Sequence, residues 1–307
     1  MTLRLISIFL MLAGGAARAD SSSPSLAAYY HRQMAIVGGT AYGWEDDDAP
    51  RIVGSDAQQV GVGRSAYYVL GTDGVLLRYR RISASPVIVA RGVTRFAAGR
   101  SGVFAIKRDR SLWWHENGGT SSRKIAEDAV DAVDAAVGDG ANYYVTAAGE
   151  LFVRGLAHRG QYGDGKLTET ENFVRTATGV QRVYAHTGHA LYLRMNGDVM
   201  GTGGNIYGPV GRHGLGDKAV RWSLIVTGAA EAATGASHSL AILPGGRVLA
   251  WGAGYAPDPR QILTDAMAVA AGSSTTIALK TDGSLWQWDR GEKPRQLQLP
   301  GTGKETP

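Results

Sequence analysis

The feature that most constrains this chain is an internal repeat, because a unit that recurs every few tens of residues has to be stacked into an array or ring rather than folded as an independent domain. One element reads apolar, small, small, glycine: Val60-Gly61-Val62-Gly63, Phe96-Ala97-Ala98-Gly99, Ala135-Ala136-Val137-Gly138, Ala232-Ala233-Thr234-Gly235 and Val269-Ala270-Ala271-Gly272, with a degenerate copy at Val183-Tyr184-Ala185-His186. Each is followed by an apolar strand, a short turn and another strand. The clearest are His238–Leu243 turning at Gly245-Gly246, and Thr275-Thr276-Ile277-Ala278-Leu279 turning at Asp282-Gly283. Other turns fall at Asp73-Gly74, Ala148-Gly149 and Asn196-Gly197. Such dipeptides between strands signal hairpins, and a type I′ turn with positive φ at both central residues is expected. Asp109-Arg110 departs from the pattern, so that hairpin is expected to turn differently.

A third element closes each unit, a strand led by Pro50, Pro86, Pro259 or Pro294. Proline donates no ladder hydrogen bond, so this strand belongs outermost. Small residues at one end, a hairpin in the middle and a proline-led strand outside describe a four-stranded antiparallel blade. A seventh copy runs from Ala28-Tyr29-Tyr30-His31 through a Gly38-Gly39 turn to Tyr42-Gly43-Trp44. The expectation is an all-β, seven-bladed β-propeller over residues 20–299, with a flexible tail at 300–307. The blade aromatics Trp44, Trp113, Trp251, Trp286 and Trp288 read as third-strand packing residues at matching positions.

Gly235-Ala236-Ser237-His238-Ser239-Leu240-Ala241-Ile242 through Trp251-Gly252, together with Gly160-Gln161-Tyr162-Gly163-Asp164-Gly165, resemble repeats of the regulator of chromosome condensation family. The resemblance covers nearly all of the chain after its leader and implies a seven-bladed propeller. The short units lack the Gly-Gln-Leu-Gly loop of that family. Guanine-nucleotide exchange on small nuclear GTPases is also implied by the family, but an exported chain would not meet that partner.

Export is the expectation from residues 1–19. Arg4 precedes an apolar run from Leu5 to Leu12, and Ala17-Arg18-Ala19 stands before Asp20, the layout of a cleaved signal peptide. The run is shorter than the roughly 20 residues needed to cross a bilayer, so membrane insertion is not expected. The mature chain is placed in the periplasm or outside the cell, as a monomer. With no cysteine, it has neither a disulfide framework nor thiolate metal sites. Losing Arg4 and Arg18 lowers the formal charge from +5 to +3, too little to indicate a nucleic-acid partner.

No catalytic, metal or cofactor site is legible. Gly201-Thr202-Gly203-Gly204 precedes no helical pattern, so it reads as a loop rather than a phosphate cradle. His31, His189 and His238 occupy the repeat's own histidine position and read as structural. His186 and His189 are expected to point to opposite faces. Glu45-Asp46-Asp47-Asp48 lacks calcium-loop spacing and reads as a surface loop.

The repeated residues build the scaffold, so function is sought in what varies. Variation concentrates in two long, adjacent units, where His158, Arg159, Tyr162, Tyr207, Arg212, His213 and Trp222 are the candidate binding residues. The function expected is non-catalytic binding, with another protein as partner. Alternatives from other classes are a lectin-like propeller holding a carbohydrate or small ligand, and a polysaccharide-acting hydrolase or lyase.

Overall fold

The computed structural model describes residues 26–100, 102–117, 121–134, 140–211 and 216–300. Its strands form seven four-stranded sheets, each an antiparallel meander of strands consecutive in the chain. Blade 1 runs Leu26–Tyr29, Arg32–Val37, Thr40–Glu45 and Arg51–Gly54. Blades 2 to 7 follow over residues 57–90, 93–126, 129–177, 180–226, 231–263 and 266–297. The chain is an all-β, seven-bladed propeller. The expected signal peptide lies outside the described residues, as do residues 301–307 of the expected tail.

The small residues of the first strands are explained by how closely neighbouring blades approach at their inner ends. A Cβ at Gly63 would sit 2.6 Å from the Gly99 carbonyl of the next blade, and one at Gly235 would sit 2.6 Å from the Gly272 carbonyl. The Arg64 N–H reaches Gly99 O at 3.3 Å, and the Ala236 N–H reaches Gly272 O at 3.1 Å. The proline-led strands are outermost, as their missing donor requires.

Two details of the turns correct the sequence reading. At Asp73-Gly74, Ala148-Gly149, Asn196-Gly197 and Asp282-Gly283 only the glycine has positive φ, so these hairpins turn through a type I bend that ends on a left-handed glycine. Gly38-Gly39 is positive at both positions and is the two-residue form. Asp109-Arg110 turns as its relatives do. Arg110 takes φ 65°, its N–H bonds Lys107 O at 2.8 Å, and the Asp109 carboxylate accepts from the Ser111 N–H, as Asp282 does from Ser284.

The tryptophans fall on two registers. Trp44, Trp251 and Trp288 are buried. Trp113 and Trp286 lie two residues nearer the hairpin, half-buried under Lys107 and Lys280. His31 sits in a turn, exposed, and Arg32 takes the register position that His189 and His238 hold elsewhere.

Among the described residues no strand is exchanged between the ends of the chain, and blade 7 packs on blade 1 through side chains. Ala35, Tyr42 and Trp44 bury against Ala270, Ile277, Leu285 and Leu297. Trp44 Nε1 donates to Gln287 Oε1 at 2.6 Å, and Gln287 Nε2 donates to Asp46 O at 2.9 Å. Asp47 of the acidic run pairs with Arg295 across the seam, and Glu45 accepts from Tyr67 and Arg32.

Elsewhere, polar first-strand residues tie successive blades. Gln59 bonds both the N–H and C=O of Phe96. Arg95 meets Asp131 at 2.8 Å, Asp131 accepts from the Val183 N–H at 3.0 Å, and Arg182 stands 3.7 Å from Glu231. Alternating charge thus links blades 3 to 6.

Candidate functional site

Links from first to second strand and from third to fourth strand emerge on the same edge of every blade. Blades 4 and 5 therefore raise their two long loops, described over residues 156–169, 205–211 and 216–217, on one face of the ring. Leu26 and Leu297, where the first strand begins and the last one ends, lie on the opposite face.

Between the loops is a hollow of about 400 Å³, whose lining includes His158 and Arg159 from blade 4 and Asn205, Ile206, Tyr207 and Lys218 from blade 5. Thr187-Gly188-His189 of blade 5 and Ala236-Ser237 of blade 6 complete its wall. The Arg159 side chain crosses the short turns beneath it, and the repeat glycines leave room for that path. A Cβ on Gly188 would come 2.8 Å from Arg159 Cδ, and one on Gly204 would come 3.4 Å from it. The Arg159 N–H is fixed by Gln161 Oε1 at 2.8 Å. His158 Nδ1 lies 3.7 Å from Glu169 Oε1, between this hollow and a second one of about 690 Å³ that includes Arg123, Arg154 and Glu171.

The blade 5 loop is held from inside. Asn205 is buried, donating from Nδ2 to Gly211 O at 2.8 Å and to Gly216 O at 3.2 Å, and accepting from the Val210 N–H at 3.1 Å. Gly208 and Gly211 take left-handed φ of 78° and 83°, which lets the loop double back. The Pro209 carbonyl is stapled to blade 6, accepting from Trp251 Nε1 at 2.7 Å and Ser239 Oγ at 2.8 Å. The same Ser239 meets His189 Nε2 at 3.0 Å, while His238 Nε2 meets Thr276 Oγ1 at 3.1 Å one blade further on. Both histidines are structural links between blades. Burial pulls the pKa of each down to about 3.

On this fixed loop Ile206 and Tyr207 stand 67% and 63% exposed. They form an adjacent apolar pair presented to solvent on a loop that is hydrogen-bonded from inside.

The seven candidate residues divide. His158, Arg159 and Tyr207 come together around the hollow. Arg212 and His213 lie outside the described residues. Tyr162 is not available to a partner as a contact, and Trp222 is only partly exposed; the reason in both is packing. Tyr162 is 2% exposed in the blade 4–5 core; its hydroxyl donates to Gly155 O at 2.8 Å and accepts from the Thr170 N–H at 3.1 Å. Trp222 packs edge-on against Tyr192 at 4.6 Å, donates to Thr176 Oγ1 at 3.2 Å, and fills the space above Gly163, where a Cβ would lie 2.4 Å from its indole. Asn205, Ile206 and Lys218 were missed as candidates. The polar and glycine-rich stretch around Ile206 was the available signal, since an isoleucine there has no strand to pack in.

No family model matches the chain. A secretion-regulating guanine nucleotide exchange factor of Bos taurus is 31% identical over 134 residues, a match spanning 41% of this chain and 28% of that relative. Prp20p of Saccharomyces cerevisiae, described with its binding to Gsp1p and histones, superposes with a TM-score of 0.70 at 14% identity, over 82% of this chain and 81% of that one. The chain carries the repeat and the fold of the regulator of chromosome condensation propellers. PorZ, a bacterial surface component of the type-IX secretion system of Porphyromonas gingivalis, is similar in fold at a TM-score of 0.63 and 10% identity, over 91% of this chain and 38% of that protein.

Proposed function

We propose that this chain is an extracytoplasmic binding propeller without catalytic chemistry, which recognises another protein through the rim of blades 4 and 5. The observation that carries the reading is the Ile206–Tyr207 pair, exposed on a loop whose backbone is already fixed by Asn205, Trp251 and Ser239. A side chain ordered before binding loses little further entropy when a partner covers it, so exposed apolar area on such a loop converts into affinity efficiently. Arg159, His158 and Lys218 around the adjoining hollow supply polar contacts at its border.

Two further supports come from outside the rim. One structural neighbour of this fold, Prp20, is described with its binding to Gsp1p and histones and also bound to Kap60. The leader pattern of residues 1–19 supports reading the mature chain as exported beyond the cytoplasmic membrane. Nucleotide exchange on a nuclear GTPase does not fit this reading, because an exported chain would not meet such a partner.

The test compares capture of partners from the host's own envelope and extracellular fractions by the mature wild-type chain and by Tyr207→Ala. Loss of Tyr207 should weaken capture by about 2 kcal/mol, roughly thirtyfold, with the melting temperature unchanged. Equal capture by both proteins would remove the rim from the account.

A further inference from the structure

The first strands of blades 2, 3, 6 and 7 run out at Gly63, Gly99, Gly235 and Gly272, and the register equivalents in blades 1 and 5 are Tyr29 and His186. Blades 1 and 5 are not neighbours in the ring. Even so, the two rings lie 5.9 Å apart between centroids, tilted by 31°, so they meet across the central axis on the rim face. Beneath them is a hollow of about 260 Å³, lined by first-strand residues of all seven blades.

Its wall is small and chemically mixed. Ala28, Ala98, Ala185 and Ala271 contribute methyl groups and Thr234 a hydroxyl. First strands are sheet edges, so their outward N–H and C=O groups face the axis. His186 lies in the same wall. Its Nδ1 is 2.8 Å from Thr187 Oγ1, whereas Nε2, in a ring only 5% exposed, has no hydrogen-bond partner among the described residues. A buried imidazole with one unsatisfied nitrogen costs stability, and it stands where other blades have glycine. Packing the scaffold does not call for it.

We propose that this hollow is a binding site for a small uncharged polyol, held by His186 and by the backbone edges of the first strands. Hydroxyl groups both donate and accept, so they match alternating N–H and C=O groups and either tautomer of the ring. A space of about 260 Å³ corresponds to about nine water volumes at ~30 Å³ each, which suits molecules from a triol to a monosaccharide. Charged ligands are disfavoured. Burial pulls the His186 pKa down to about 4, keeping the ring neutral, and Glu231, the charged residue in the wall, stands 3.7 Å from Arg182 with its carboxyl pushed up by burial.

The test is titration of the ¹⁵N-labelled mature chain with glycerol and with D-glucose at neutral pH, with acetate and tetramethylammonium as charged controls. Saturable shifts of the Ala28, Ala98, Ala185 and Ala271 amides with one of the polyols, and with neither ion, are expected. Ala271→Leu should abolish the saturable component by filling the hollow. His186→Gly, which restores the residue other blades carry and so keeps the fold, should weaken binding roughly fivefold or more. Linear shifts shared with surface amides, or saturable shifts that persist undiminished in His186→Gly, would overturn the proposal. Both readouts are independent of partner capture at the rim.

Discussion

Acid should destabilise this propeller well above the usual carboxylate range. His186, His189 and His238 are buried and neutral, with pKa values pulled by burial to about 4, 3 and 3. In the unfolded chain each titrates near 6.5. Between those values the unfolded state binds more protons than the folded state, so stability is full above pH 6.5 and falls as pH drops towards 4. At pH 5 each ring contributes about 2 kcal/mol of lost stability, or about 6 kcal/mol for the three, against a total of ~5–15 kcal/mol for an ordinary domain. Glu231 opposes the trend, since burial holds its carboxyl above the usual range and favours the folded state as pH falls. Glu45 adds to the trend, because Tyr67 and Arg32 hold its carboxyl low. Urea unfolding followed by tryptophan fluorescence at pH 7, 6 and 5 measures the slope directly. His189→Gln, whose amide can still reach Ser239, should remove about a third of it. A denaturation midpoint that is flat from pH 7 to 5, or a slope unchanged by His189→Gln, would refute the reasoning.

Tyr162→Phe should cost about 1–2 kcal/mol in urea unfolding, by orphaning the Thr170 N–H, while leaving partner capture intact. Asn205→Ala should loosen residues 205–211, read as faster amide exchange there, and weaken capture although Asn205 itself is buried. At the closing seam, Trp44→Phe removes the donor to Gln287 and should cost about 1–3 kcal/mol, whereas deletion from Ala266 onward should abolish the cooperative melt. N-terminal sequencing of exported protein should read from Asp20, and a sequence starting at Met1 would contradict the leader assignment.

Much of the architecture was legible because its constraints are steric and local. Glycine recurs where a Cβ would strike the next blade's carbonyl, as at Gly63 and Gly235, and proline recurs where no ladder donor is needed. Turn type was less legible, since Asp-Gly serves both a two-residue turn and a bend ending on a left-handed glycine, and the strand register decides between them. Tyr162 and Trp222 show the limit at the site. Tyr162 stands in loop-like sequence rich in glycine, yet the insertion folds back over the blade 4–5 seam and the ring becomes its filling, while Trp222, on the fourth strand of blade 5, packs against it half-buried. Gly163 permits this, by leaving the space the Trp222 indole occupies. Ile206 is the converse case, an apolar residue in a loop with nothing to pack against. The meeting of Tyr29 with His186 joins residues from non-adjacent blades and has no local signature.

Site-specific photo-crosslinking from position 207 tests the central claim most directly. A photoreactive residue replacing Tyr207 on the rim is compared, in the host that makes the protein, with one replacing Met195, which is exposed in the hairpin on the opposite face. The account predicts a discrete crosslinked protein from position 207, abolished by Ile206→Ser, and none from position 195. Crosslinks of equal yield from both positions, or from position 195 alone, would contradict it.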